Sequence, residues 1–321
     1  MPYLVGTDEA GYSPNLGPLV ISATLWWVAD IPAGLNLYKT LKSIICRSPS
    51  RVSKSGRLAI ADSKILYSPA QGLAVLERGV LAALGLVDRC PCDWLDAWQA
   101  LNPESIEHLS TMPWHLDYDL RLPVAADPDD LASLVPKLHR HCERTGVRLL
   151  AIKSRAVFPE QFNASTVRCG NKGEALSTIT LELAADVLAK CGDEPVVVVC
   201  DKHGGRNFYS RLLQQRFSEY LVEVHHESRA ESIYRWGPSE RRIEVRFRAG
   251  GESFLPAALA SMTSKYLREL SMRAFNDFWC ARVQDLAPTA GYPKDAHRFR
   301  AAIHATQAAL GIDDRILWRQ R

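Results

Sequence analysis

Residues 196–200 read VVVVC, and the next residue is Asp201. A run with no polar position cannot alternate between a dry face and a wet one. It belongs in the middle of a sheet covered on both sides, and that calls for helices on both faces. The chain opens with two more strand patterns, 3–7 (YLVGT) and 19–28 (LVISATLWWV), around a Gly/Pro/Asn turn, which predicts a β-hairpin. VRLLAIKSRAVF at 147–158 predicts another strand, and residues 220–226 and 241–248 a strand pair in a charged segment. Helical patterns cover 69–84, 127–145, 173–190, 206–218, 254–281 and 295–310. Strands interleaved with helices predict an α/β fold with a mixed sheet flanked by helices.

A composition of 47% hydrophobic and 23% charged residues is that of a folded chain, and disorder over most of its length is excluded. At roughly 150 residues per domain, 321 residues allow two domains or one enlarged domain. The N-terminus carries acids at positions 8 and 9 and no cationic stretch, so no signal peptide is expected. No apolar run approaches the ~20 residues that cross a bilayer, so no membrane association is expected. Eight cysteines spread from Cys46 to Cys280 point to a reducing cytoplasm. Cys90-Pro91-Cys92 lacks a second Cys/His pair at zinc spacing. No heptad or long apolar stripe demands a mate, so a monomer is expected.

The net charge of +3 conceals two opposed segments. Residues 39–64 carry a balance of +6, from Lys39, Lys42, Arg47, Arg51, Lys54, Arg57 and Lys64 against Asp62. Residues 86–130 carry −8. The basic stretch is interleaved with Ser and Gly, which suits a loop that follows a phosphate backbone.

Asp8-Glu9 follows the first strand, and Asp201 ends the VVVVC strand. Functional groups in α/β sheets gather where strands end. Neighbouring carboxylates repel, and hard cations such as Mg²⁺ or Mn²⁺ relieve that repulsion through oxygen ligands. An Asp at a strand end is also an ordinary turn or cap residue, so spacing alone leaves both readings open. Ser261, Lys265 and Glu269 recur every four residues and share one helix face, where Lys265–Glu269 could equally be a solvated pair.

Several segments in order carry a resemblance. Asp8-Glu9-Ala10-Gly11, then Gly17-Pro18 before an apolar strand, resembles the opening of type 2 ribonucleases H (ribonucleases HII and HIII). Asp62-Ser63-Lys64 is similar to that family's Asp-Ser-Lys segment. Asn171-Lys172 with its helix, followed by VVVVC-Asp201, is similar to the family's Asn-headed helix and the strand bearing its third acid. Residues 257–269 resemble its Ala-Ala-x-Ser helix, with Lys265 and, as fourth acid, Glu269. Gly291-Tyr292-Pro293 and His297 resemble a late Gly-Tyr…His element. The matches span residues 4 to about 305.

The resemblance implies a single ribonuclease H-like domain over 1–321, with a helical C-terminal region at about 254–321. Insertions are expected at about 86–130, as an acidic lobe, and at about 203–250, as a charged hairpin. The resemblance also implies an endonuclease that cleaves RNA in RNA/DNA hybrids, or ribonucleotides embedded in DNA. Two Mg²⁺ or Mn²⁺ ions would be held by Asp8, Glu9, Asp201 and Glu269. Gly11, Tyr12, Ser13, Ser63, Lys64, Asn171, Lys172, Lys265 and Tyr292 would meet the nucleic-acid partner. Where the family carries Gly-Arg-Gly or Gly-Lys-Gly, this chain has Gly11-Tyr12-Ser13, without the cation and the second glycine. Two other readings follow from that departure and from the acidic segment. One is a nucleic-acid-binding protein with lost or altered chemistry, and the other a metal-dependent phosphohydrolase acting on small nucleotides.

Overall fold

The computed structural model describes residues 3–29, 36–48 and 56–320. Arg51 and Lys54 of the basic stretch lie outside them. The strands are β1 (Tyr3–Ala10), β2 (Leu19–Val28), β3 (Ile45–Cys46), β4 (Leu58–Ala59), β5 (Val147–Val157), β6 (Val196–Asp201), β7 (Glu223–Glu227), β8 (Glu231–Trp236) and β9 (Ile243–Arg248). Seven of them form one mixed sheet in the order β5-β2-β1-β6-β9-β8-β7, and the short β3 and β4 pair apart from it. The predicted opening hairpin is the antiparallel β1–β2 pair, and the VVVVC strand is β6, parallel to both β1 and β9.

Helices cover both faces. We label the longer ones α1 (Ala74–Gly85), α2 (Trp94–Leu101), α3 (Pro128–Thr145), α4 (Pro159–Cys169), α5 (Lys172–Leu188), α6 (Ser210–Arg216), α7 (Leu255–Cys280) and α8 (Pro293–Ala309). Side chains alternate along β1. Leu4 joins the core under α7, whereas Val5 joins the core under α5 with Leu176 and Ile179. Gly6 has no side chain for a reason. A Cβ there would lie 2.0 Å from the Ala257 backbone nitrogen, so only glycine lets α7 lie against β1. No helix of the described residues is long and apolar enough to cross a membrane.

Three expectations are corrected. The predicted pair at 220–226 and 241–248 is separated by β8, which bonds antiparallel to β7 on one side and to β9 on the other. Ser232, Tyr234 and Trp236 of β8 are buried in strict alternation, a signal that is present in the sequence. The helix expected from Pro69 begins at Ala74, because Gly72 adopts a left-handed φ of 72° that stops a helix continuing through it. The acidic segment 86–130 does not stand off as its own lobe. Its Trp94, Trp98, Leu101, Met112 and Trp114 are buried in the main core with α7. Buried Glu77 of α1 secures this segment by accepting from the Val124, Ala125 and Ala126 backbone N–H groups and the Tyr266 hydroxyl. Four donors compensate for burying a carboxylate.

Candidate active site

Thr7 of β1 stands opposite Cys200 of β6 in a parallel register. The next residue on each strand is an acid, Asp8 and Asp201, so the register sets two carboxylates side by side at adjacent strand ends. Alternation turns both toward α7, and Glu9, one residue on at the strand end, still lies close enough to feel the charges of Asp8, Asp201 and Lys64. The Glu9 N–H donates to Asp8 Oδ1 at 2.8 Å.

β9 runs parallel beside β6 and leads into the turn Gly251–Ser253. The Gly251 N–H donates to Asp201 Oδ1 at 3.2 Å. A Cβ on Gly251 would sit 3.1 Å from Asp201 Cα, so the missing side chain lets this turn close over the end of β6. Glu252 is thereby brought to Asp8 and Asp201, and its Oε2 is buried with no hydrogen-bond partner among the described residues.

α7 supplies the floor. Ser264 Oγ donates to the Asp8 carbonyl at 3.0 Å and meets Ser22 Oγ at 2.8 Å. Ser261 Oγ donates to Ser63 Oγ at 3.2 Å, which docks the Asp62-Ser63-Lys64 segment against α7. Asp62 caps that single helical turn by accepting from the Lys64 N–H at 3.0 Å, leaving the Lys64 side chain exposed. Arg47 donates to the Ser253 carbonyl at 2.7 Å, so a second cation lies on the rim beside Glu252.

The electrostatics follow from this crowding. Burial pushes the Asp8 carboxyl up, the Ser261 hydroxyl pulls against it, and the charges of Asp201 and Glu252 add to the rise, to about 7. Glu9 is raised well above the usual range by burial, then by Asp8 and Asp201. Glu252 is raised by burial and by Asp201 and Asp62, against the pull of its own backbone N–H and Lys64. Burial works against the Lys64 ammonium, but Asp62, Asp8, Glu252 and Asp201 outweigh it and raise its pKa. Acids that hold protons this tightly are acids short of positive charge. An unpartnered buried carboxylate oxygen and an all-oxygen donor set fit a hard divalent cation. Among the described residues, the group whose ligand atoms all lie within 4.8 Å of one another is Cys92, Asp93 and Asp96. The strand-end acids stand farther apart. This trio is occupied with starting α2, where Asp93 accepts from the Asp96 N–H and Asp96 from the Cys92 thiol.

The structure divides the expected residues into three groups. Asp8, Glu9, Asp201, Ser63 and Lys64 come together. The turn Gly11-Tyr12-Ser13 continues from β1, and the Tyr12 ring lies under Lys172 Nζ at 4.9 Å and beside Gly173, where α5 begins at its Asn171 cap. Glu269 is kept apart. It lies eight residues along α7 from Ser261, about 12 Å at 1.5 Å per residue. It accepts from the Tyr67 hydroxyl at 2.7 Å and is paired with Lys265, whose ammonium also lies 4.5 Å over the Tyr67 ring. Tyr292 is exposed at the start of α8, next to Arg268 rather than the strand-end acids. The residue that sequence reasoning passed over is Glu252. The available signal was Gly250-Gly251 directly before an acid, at the entry to a Pro-started helix.

No protein-family model matches the sequence, and no curated protein matches it significantly. Among solved structures, the chain is similar to a chain of the PCNA:RNase HII complex from Archaeoglobus fulgidus, at 14% identity and a TM-score of 0.40, covering 99% of this chain and 94% of that one. It is similar to ribonuclease H2 from Pyrococcus horikoshii at 13% identity and a TM-score of 0.40, covering 98% and 92%. A third similar structure is Bst-RNase HIII in complex with Mn²⁺, at 14% identity and a TM-score of 0.40, covering 99% and 66%.

Proposed function

We propose that the protein is a divalent-metal-dependent endonuclease of the type 2 ribonuclease H kind, acting on the RNA strand of RNA/DNA hybrids or on ribonucleotides in DNA. The observation that carries this reading is the convergence of Asp8, Glu9, Asp201 and Glu252 from three separate chain segments, with three of the four raised in pKa by burial and one another. Glu252 takes the place expected of Glu269. Mg²⁺ or Mn²⁺ held by these four acids would acidify a bound water and offset charge on a phosphodiester.

The chain's own residues do the remaining work. Gly251 N–H fixes one oxygen of Asp201, and Ser261 and Ser264 fix Asp8, so the acids meet the substrate already oriented. Lys64, exposed above them, receives a phosphate and balances the excess negative charge. Tyr12, half-buried beside α5, offers a ring edge to a sugar or base next to the acids.

The test is cleavage of a 5′-labelled RNA/DNA hybrid by purified protein. Cleavage that requires Mn²⁺ or Mg²⁺ and stops with EDTA is expected, with products bearing 3′-hydroxyl and 5′-phosphate ends. Turnover of free nucleotides with none on duplexes, or metal-independent cleavage, would overturn the proposal.

A further inference from the structure

Helix α3, which follows the acidic segment, carries cations that the site described above does not use. Lys137, Arg140 and Arg144 are exposed and, at steps of three and four, share one face of it. No carboxylate among the described residues lies within ion-pairing distance of any of the three. Asp130, which feels the charge of Lys137, is already held by Arg78 through two bonds. The three cations line an open cleft of about 820 Å³ against Ser43, with His141 and, as the single acid among the described residues, Glu143 on its wall. Burial and Arg144 both lower the His141 pKa, so the ring does not add an acid to the wall. The balance of the lining is therefore positive.

This cleft connects to the carboxylates through a short stretch of chain. His141 Nε2 meets Ser43 Oγ at 3.0 Å, and four residues later Arg47 donates to the Ser253 carbonyl beside Glu252. Exposed Lys42 lies at the same end, with its carbonyl accepting from Arg57. Four residues reach at most about 14 Å, and Lys137 to Arg144 covers about 10 Å of helix. α3 is held in place by the His139–Gly85 and Arg78–Asp130 contacts with α1.

We propose that the α3 cleft is a second contact for the nucleic-acid duplex, in which Lys137, Arg140 and Arg144 take backbone phosphates away from the bond at the carboxylates. This rests on reading the site as acting on nucleic acid. The contact is with phosphates only, so it raises affinity without reading sequence.

The test is binding of a fluorescent 24-base-pair RNA/DNA hybrid without divalent metal, followed by anisotropy from 50 to 200 mM salt. The triple variant Lys137→Gln, Arg140→Gln, Arg144→Gln is compared with wild type and with Lys190→Gln, just past the far end of α5. Each phosphate contact contributes about −0.9 to the slope of log affinity against log salt, so the triple variant should lose about 2 to 3 of slope and about 10-fold to 100-fold in affinity at low salt. Lys190→Gln should match wild type. If the triple variant is not folded by circular dichroism, Arg140→Gln alone should lose about 0.9 of slope. Unchanged slope and affinity in the folded variant, or no binding by wild type, overturns the inference. If wild type cleaves the hybrid but the variant binds equally, the inference fails and the nuclease reading stands. If the triple variant loses slope but wild type cleaves nothing, the inference stands and the nuclease reading fails.

Discussion

Asp8→Asn and Glu252→Gln should each lower hybrid cleavage by about 10³-fold, the order lost when a charge-stabilising group is removed from an active site. Glu269→Gln should lower it by less than about 10-fold. The two glutamates differ in what they already hold. Glu252 has a buried oxygen without a partner beside two like charges, an arrangement that only a proton or a cation relieves. Glu269 is satisfied by Tyr67 and Lys265. Its substitution weakens the packing of the Tyr67 segment on α7, with a stability cost of about 1 kcal/mol. The measurement is single-turnover cleavage with saturating Mn²⁺, alongside a urea midpoint for each variant. Equal losses from Glu252→Gln and Glu269→Gln would return Glu269 to the site.

Gly6→Ala should be the most destabilising single-methyl change in the sheet. The added carbon would meet the Ala257 nitrogen at 2.0 Å and the Pro256 carbonyl carbon at 2.2 Å, both backbone atoms of α7. No flexible side chain is available to yield, so α7 must move off β1. Overpacking of this kind costs about 3 kcal/mol or more, against a total stability of about 5–15 kcal/mol for a typical domain. The displacement also pulls Ser261 and Ser264 away from Asp8, so activity should fall further than the folded fraction does. A urea midpoint equal to wild type would show that the β1–α7 contact is looser than the structure has it.

Much of this architecture is legible in the residues. The unbroken apolar run before Asp201 identifies a central strand covered on both faces, and the strand patterns in 19–28 and 147–158 identify the antiparallel strands on the other side of β1. Gly146, in a left-handed conformation at φ 63°, ends α3 where the sequence placed it. The placement of the fourth acid was less legible, because a shared helix face is a statement about direction and not about distance. Ser261, Lys265 and Glu269 do point the same way from α7, but two turns separate the first from the last. Glu252 sits in a three-residue turn with no periodicity, and its position depends on the parallel register of β6 and β9, which local sequence does not encode. The acidic segment misled for a related reason. Its charge lies on its surface, whereas Trp94 and Trp98, four residues apart on α2, bury one face in the main core.

The proposed cation-holding unit of Asp8, Glu9, Asp201 and Glu252 is tested most directly by calorimetric titration of the metal-free protein with Mn²⁺, in buffers of different ionisation enthalpy. Asp8 keeps its proton up to about pH 7 in the fold, against 3.8 for an ordinary Asp. Mn²⁺ must therefore displace protons below pH 7, and its affinity should rise with pH, by up to ~10-fold per unit for each proton released. It should level off once Asp8 and its neighbours are ionised. The expected result is proton release near pH 6 that shrinks above neutrality, with binding lost in the Asp8→Asn, Asp201→Asn double variant. Mn²⁺ binding that is independent of pH, or that survives in the double variant, would contradict a shared cation site at these four acids.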